Sequence, residues 1–198
     1  MKDHDLIIVT PSCPESFRRI PPELGPTRGN DTSQTRRQLL HRPLPVLCYS
    51  LNMNAADPFD LARFVSAQDR NYDAALAELR DGEKRTHWMW YIFPQIDGLG
   101  HSPTATFYAI KSAEEARQYL EHPVLGPRLL ACAEAVLFVE GLSASQIFGF
   151  PDDMKLRSSM TLFASVAGPD SVFVRVLGKY FQGEHDQKTL ELLKRPGK

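Results

Sequence analysis

Apolar residues recur at helical spacing through most of this chain, over residues 57–193. Asp57-Pro58 is a typical helix start, and the apolar positions within 61–68 continue one helical face. A second stretch over 72–79 keeps the helical period until Gly82, and glycine commonly ends helices. The pattern therefore predicts two amphipathic helices at the start of the periodic region.

Helix start and stop signals continue to the C-terminal end. Ser112 with Glu115, and Ser143 with Gln146, have the spacing of a capping box, in which two side chains satisfy backbone amides at a helix start. The further helices that the pattern predicts lie over about 112–120, 123–141, 143–149, 152–166, 173–181 and from 186 onward. Seven or eight short helices predict an all-α fold, built as a single irregular bundle.

The first 52 residues differ from the rest in composition. They hold nearly half of the 15 prolines and show neither a helical nor an alternating apolar period. Such a segment cannot bury enough surface to offset the entropy lost on ordering. We predict that residues 1–52 are a disordered extension or result from a misassigned start, with Met53 as the native start, and that residues 53–198 form a single helical domain. The arginine-rich tract 36–42 suggests a transit peptide instead, but it is internal and acidic residues precede it.

Composition and charge restrict the class of protein. The chain is 42% hydrophobic and 10% aromatic, which is typical of a soluble globular protein. A formal charge of -1 provides no global field to attract phosphate backbones, so nucleic acid is disfavoured as a partner. No apolar run is long enough to cross a bilayer, so no membrane partner is predicted.

The cysteines and histidines show no metal-site pattern. Cys13, Cys48 and Cys132 are odd in number and lack CxxC spacing, and Cys132 lies in an apolar helical stretch. We therefore predict a buried free thiol in a reducing compartment, a cytoplasmic location and no metal site. A GxGxxG dinucleotide fingerprint is also absent from the sequence, so no cofactor is predicted.

The most distinctive segment is the aromatic block, residues 84–95, which contains both tryptophans. Its pattern predicts a helix that is apolar nearly all round, with His87 and Trp90 on one face and Trp88 on another. One interpretation is that both tryptophans are core residues whose indole N–H groups find buried partners. The other is that His87, a tryptophan and Gln95 line a pocket for a planar ligand.

A polar cluster, residues 152–161, lies on another predicted helix. Lys155, Ser158 and Ser159 are spaced by three and four residues, so an ammonium and two hydroxyls share one side near the helix start. This arrangement suits a phosphate or carboxylate, because the helix dipole favours negative charge there. A Ser/Lys nucleophilic pair is an alternative, although the order Lys-x-x-Ser reverses the Ser-x-x-Lys motif. The structural alternative leaves Lys155 solvated and packs the serines against a neighbouring helix.

Four ordered motifs carry a resemblance to a known family. They are residues 84–95 followed by 98–100, then 119–129, 153–163 and 179–183. In these motifs the chain resembles the bacterial domain-of-unknown-function family 1810. The resemblance implies a mainly helical single domain and implies no particular activity, because the family is uncharacterised. Some relatives carry the label calpastatin, which these residues do not support, since a calpain inhibitor of that type is disordered and repetitive.

Two functions of different class are compatible with these features, and the sequence does not decide whether the protein is an enzyme. The first is a small-molecule binding or enzymatic domain that takes an anionic ligand, such as a nucleotide, between the aromatic block and residues 155–161. Its candidate ligand-binding residues are His87, Trp88, Trp90, Gln95, Lys155, Ser158 and Ser159. The second is a noncatalytic helical protein-interaction module. We favour the first, because packing alone does not explain the cations gathered beside two hydrophobic segments.

Overall fold

Nine helices make up the part of the protein that the computed structural model describes, residues 57–195. In chain order they are α1 (Ala62–Asp81), α2 (Met89–Ile92), α3 (Pro103–Phe107), α4 (Ala113–Glu121), α5 (Leu125–Phe138), α6 (Ala144–Phe148), α7 (Asp152–Ala167), α8 (Val172–Phe181) and α9 (Gln187–Leu193). Within the described range there is no strand, and the β-type contact is an isolated parallel bridge between Ile96 and Ile110. The all-α prediction is therefore confirmed.

Three predictions for helix extent are wrong. The helix predicted to start at Asp57-Pro58 begins at Ala62, because Asp60 adopts a left-handed conformation with φ 51° that interrupts the run. The first 20 helical residues form one helix, α1, rather than two, because the exposed residues between 68 and 72 keep their helical hydrogen bonds and only Gly82 ends the run. Gly82 adopts a left-handed conformation with φ 72°, and its amide caps the last turn. In the aromatic block the helix is only the four-residue α2, because side-chain contacts described below hold residues 85 and 86 outside it.

The two predicted capping boxes have different outcomes. Ser143 and Gln146 form the complete reciprocal box at the start of α6. Ser112 caps α4 by accepting the amide of Glu115, but the Glu115 carboxylate turns instead to the Lys111 amide and to Arg63. Arg63, which is distant in sequence, thus pairs with the Glu115 carboxylate that the local spacing predicts for the capping box.

α7 is the central helix of the bundle. It packs against α4, α6, α8 and α9, while α1 packs along α5 and α5 along α8. Its middle part is buried on nearly every side, so polar residues of this helix lie among apolar neighbours. The core is formed mainly by large side chains, which include Phe64, Leu79, Trp88, Phe93, Tyr119, Phe163 and Phe173.

The predicted disordered extension, residues 1–52, lies outside the described residues. The prediction that Met53 is the native start also lies outside them. Among the helices of residues 57–195, none has the length and hydropathy needed to cross a membrane.

Candidate functional site

The buried carboxylate of Glu78 stabilises the turn that connects α1 to the aromatic block. Glu78 accepts hydrogen bonds from the amide of Arg85 at 2.8 Å, and from the amide and hydroxyl of Thr86 at 3.0 and 2.6 Å. The indole Nε1 of Trp88 donates a fourth at 2.7 Å. Burial by itself raises the pKa of Glu78, but the four hydrogen bonds outweigh it and lower the pKa to about 2. The ionised Glu78 carboxylate therefore holds residues 85, 86 and 88 of the aromatic block in position against α1.

Trp88 is the core tryptophan of the block. Its side chain is 0% exposed, and its ring lies edge-on to Phe93 and Phe148, with centroids 6.2 and 6.3 Å away. Because the indole N–H is bonded to Glu78, the ring is buried without leaving a polar atom unsatisfied. Trp88 therefore matches the core interpretation and offers no surface to a ligand.

Trp90 differs from Trp88 because it is only half-buried and meets the polar cluster. The Lys155 ammonium lies 4.9 Å from the centroid of the Trp90 ring, within cation–π range. The Gln95 side-chain amide donates to the carbonyl oxygen of Lys155 at 3.4 Å. Three of the predicted site residues, Trp90, Gln95 and Lys155, are thus brought together from separate parts of the chain.

A shared carboxylate joins the aromatic block to α7. Asp152 accepts the Lys84 ammonium on Oδ2 at 2.8 Å and the Lys155 ammonium on Oδ1 at 2.6 Å. We call Lys84, Asp152 and Lys155 the lysine bridge. Burial raises the pKa of Asp152, but hydrogen bonds from both lysines reverse the shift, so the pKa lies below its ordinary value. The bridge is a partly buried cluster of two cations and one anion.

The remaining predicted site residues lie apart from this cluster or inside the fold. The Ser158 hydroxyl donates to Asp186 at 2.8 Å, and Asp186 also caps α9. Ser159 is fully buried, and its hydroxyl has no hydrogen-bond partner within the described residues. His87 is exposed, three residues before Trp90. Ser158 thus connects α7 to α9. Lys155, Ser158 and Ser159 do not share one surface, although their spacing predicts a joint site for an anion.

Sequence reasoning missed two members of the lysine bridge and its neighbouring carboxylate. Lys84 and Asp152 lie within residues 84–95 and 152–161, but neither is among the predicted ligand-binding residues. Glu78 lies on the amphipathic helix predicted over 72–79, where nothing in the pattern distinguishes it. The contacts of Lys84 and Glu78 depend on a turn that helical periodicity does not describe, so spacing carried no signal for them.

Cys132 should not react in the folded protein. Its thiol is buried in α5, and burial raises the pKa of Cys132 to about 12, so almost no thiolate forms at neutral pH. In a Cys13→Ser, Cys48→Ser variant, a thiol-specific chromogenic reagent should label Cys132 only after denaturant is added. Rapid labelling without denaturant would show that α5 opens to solvent.

The fold and this junction define a class of protein: an all-helical domain in which an aromatic block meets a central helix through a lysine bridge. A family model described as a protein of unknown function, DUF1810, matches residues 58–193. The chain therefore belongs to the DUF1810 family, and the resemblance found in the sequence is confirmed.

A solved structure supports the same fold. The crystal structure of the conserved hypothetical protein Rv1873 from Mycobacterium tuberculosis is similar, with 53% sequence identity and a TM-score of 0.69. The match covers 71% of this chain and 100% of that chain. No curated protein matches the chain.

Proposed function

We propose that this domain binds a small anionic ligand at the lysine bridge, beside Trp90 and Gln95. The observation that carries the proposal is that two ammonium groups share one carboxylate, which leaves one positive charge in the bridge unbalanced. Asp153 does not pair with either lysine, because its carboxylate accepts from the Ser145 hydroxyl and the Met154 amide. A ligand phosphate or carboxylate would balance the charge through charge-assisted hydrogen bonds.

Trp90 and Gln95 support a ligand that carries a planar group. Trp90 is half-buried beside the Lys155 ammonium, so part of its indole is open to contact a planar group of a ligand. The bond from Gln95 to the Lys155 carbonyl orients its amide at the same junction. We leave Trp88, Ser158 and Ser159 out of the ligand contacts, because their side chains are buried in the fold. His87 stays a candidate on the solvent side, and the free thiol of Cys132 supports the cytoplasm as the proposed location.

The test is a thermal-shift screen of the full chain at constant ionic strength. The probes are inorganic phosphate, pyrophosphate, AMP, ADP-ribose and benzoate. A ligand that binds only the folded state raises the melting temperature, and the rise grows with the logarithm of its concentration relative to Kd. At least one probe should produce such a rise. Lys155→Met should weaken that probe by about tenfold to a hundredfold, because one charge-assisted contact is lost.

Two further variants separate a ligand contact from a structural effect. Lys188→Met removes an exposed lysine from α9 and should leave the affinity unchanged. Asp152→Asn removes the internal anion that competes for both lysines, so it should tighten binding while lowering the melting temperature of the free protein. The proposal fails if no probe stabilises the wild type, or if Lys155→Met and Asp152→Asn leave every shift unchanged.

A helical interaction module is the second candidate, and one observation favours it. Phe150, two residues before α7, and Met154, in the first turn of α7, are 82% and 59% exposed. Large exposed apolar side chains are often contacts for a protein partner. If the anion screen is negative, Phe150→Ser should be compared with the wild type for self-association by analytical ultracentrifugation.

A further inference from the structure

An open cavity of about 600 Å³ lies away from both sequence blocks. Its walls come from the segment before α1, the first turn of that helix, the end of α3 and the start of α4. The residues that decide its chemistry are Phe59, Asp60, Arg63, Phe107, Lys111 and Glu115. Its volume is within the range of small-molecule sites.

The buried charges of this cavity are already satisfied. The Arg63 guanidinium directs its N–H groups to the carbonyl oxygens of Phe59, Asp60, Phe107 and Ala109 and to the Glu115 carboxylate. The side chains of Arg63 and Glu115 are 7% and 1% exposed and lie 2.6 Å apart. A guanidinium has five N–H donors, so none is left for a ligand. This pair is therefore structural, and it contributes no net charge.

The other charged groups that line the cavity are Asp60 and Lys111. Lys111 pairs with Asp97 at 3.3 Å, so these two charges cancel. The carboxylate of Asp60 forms neither an ion pair nor a hydrogen bond with any residue of the described range. Of the charged lining residues, Arg63 and Glu115 pair with each other and Lys111 pairs with Asp97, which lies outside the lining. Asp60 is therefore the lining residue that is left without an oppositely charged partner among residues 57–195.

Two aromatic rings line the same cavity as Asp60. Phe107 is 55% exposed although it packs edge-on against Tyr108, with centroids 4.8 Å apart. The half-buried ring of Phe59 lines the cavity as well. Aromatic faces carry partial negative charge, so rings beside a free carboxylate attract a cation whose surface is itself apolar.

We infer that this cavity binds a small organic cation, either a quaternary ammonium or an arylalkyl amine. Asp60 supplies the counter-charge, and Phe59 and Phe107 contact the apolar substituents around the nitrogen. A metal ion would gain little from the rings, and an anion would face the unpaired carboxylate. The site is separate from the lysine bridge and takes a ligand of opposite charge.

The test is isothermal titration calorimetry of the full chain with four probes: tetramethylammonium, choline, phenethylamine and the neutral carbon isostere of choline. At least one cation should bind, and the neutral isostere should not bind detectably. Asp60→Asn and Phe107→Ala should each weaken the cation by about tenfold, equivalent to about 1.4 kcal/mol.

Each variant removes one interaction of the cavity and is expected to preserve the fold. Asp60 has a φ of 51°, and asparagine tolerates this left-handed conformation, so Asp60→Asn removes the charge and keeps the backbone. Asp73→Asn, an exposed acid on α1 outside the cavity, is the matched control and should bind as the wild type does. The inference is overturned if none of the three cations binds, if the neutral isostere binds equally well, or if both cavity variants keep wild-type affinity.

Discussion

Trp88→Ala should destabilise the domain by about 3 to 5 kcal/mol, a large share of the stability of an ordinary domain. The change removes a fully buried indole that packs against Phe93 and Phe148, and the cavity left behind cannot be filled by small movements. It also leaves the Glu78 carboxylate without one of its four hydrogen bonds. Urea denaturation followed by far-ultraviolet circular dichroism measures the loss as a lower midpoint.

Trp90→Ala is the matched control for this prediction. It deletes the same side chain two residues away, but that ring is half-buried and contacts Lys155 near solvent. Its cost should stay below about 2 kcal/mol, because less apolar area is lost and no core cavity forms. Equal midpoints for the two variants would contradict the assignment of Trp88 as the core tryptophan.

Glu78→Gln should cost about 3 kcal/mol at neutral pH. A carboxyl whose pKa falls from 4.5 in the unfolded chain to about 2 in the folded one contributes about this much while it is ionised. The folded pKa is the lower one, so the contribution is complete above pH 4.5 and is lost as the pH falls toward about 2. The stability difference between wild type and Glu78→Gln should therefore shrink across this interval, as urea midpoints at each pH would show.

Glu114→Gln provides the comparison for the acid titration. Glu114 is exposed on α4, where it forms a surface ion pair with Arg117, so its replacement should change stability little at any pH. The other carboxyls with lowered pKa values, Asp57, Asp152 and Asp186, titrate in wild type and variant alike and cancel in the difference. If the Glu78→Gln difference stays constant as the pH falls, the charge of Glu78 is not its source.

Much of the helical architecture could be predicted from the sequence because its determinants are local. Ser143 with Gln146 and the left-handed Gly82 act within one turn of the backbone they cap. Asp186 likewise caps α9 by accepting the amide of Lys188. The errors arose where a distant group competes with the local one. Glu115 has capping-box spacing but pairs with Arg63, which lies on another helix.

The candidate site could be predicted only in part. Trp90, Gln95 and Lys155 were recognised as chemically unusual, and the fold places them together. The sequence pattern does not predict the ion pairs of Lys84 and Asp152, because these residues meet only when α7 packs against the turn after α1.

The all-α class, the positions of most helix ends and the family resemblance follow from the sequence alone, since each depends on neighbouring residues or on motifs along the chain. In contrast, it is the packing of the helices that shows which tryptophan is buried and which polar residues of α7 face solvent. These depend on what packs around an element: α7 is enclosed by four helices, so Ser159 is buried while Lys155, one turn nearer the helix start, reaches the surface. That Asp60 has no charged partner among residues 57–195 is likewise a property of the fold, because Arg63 pairs with Glu115 and Lys111 with Asp97.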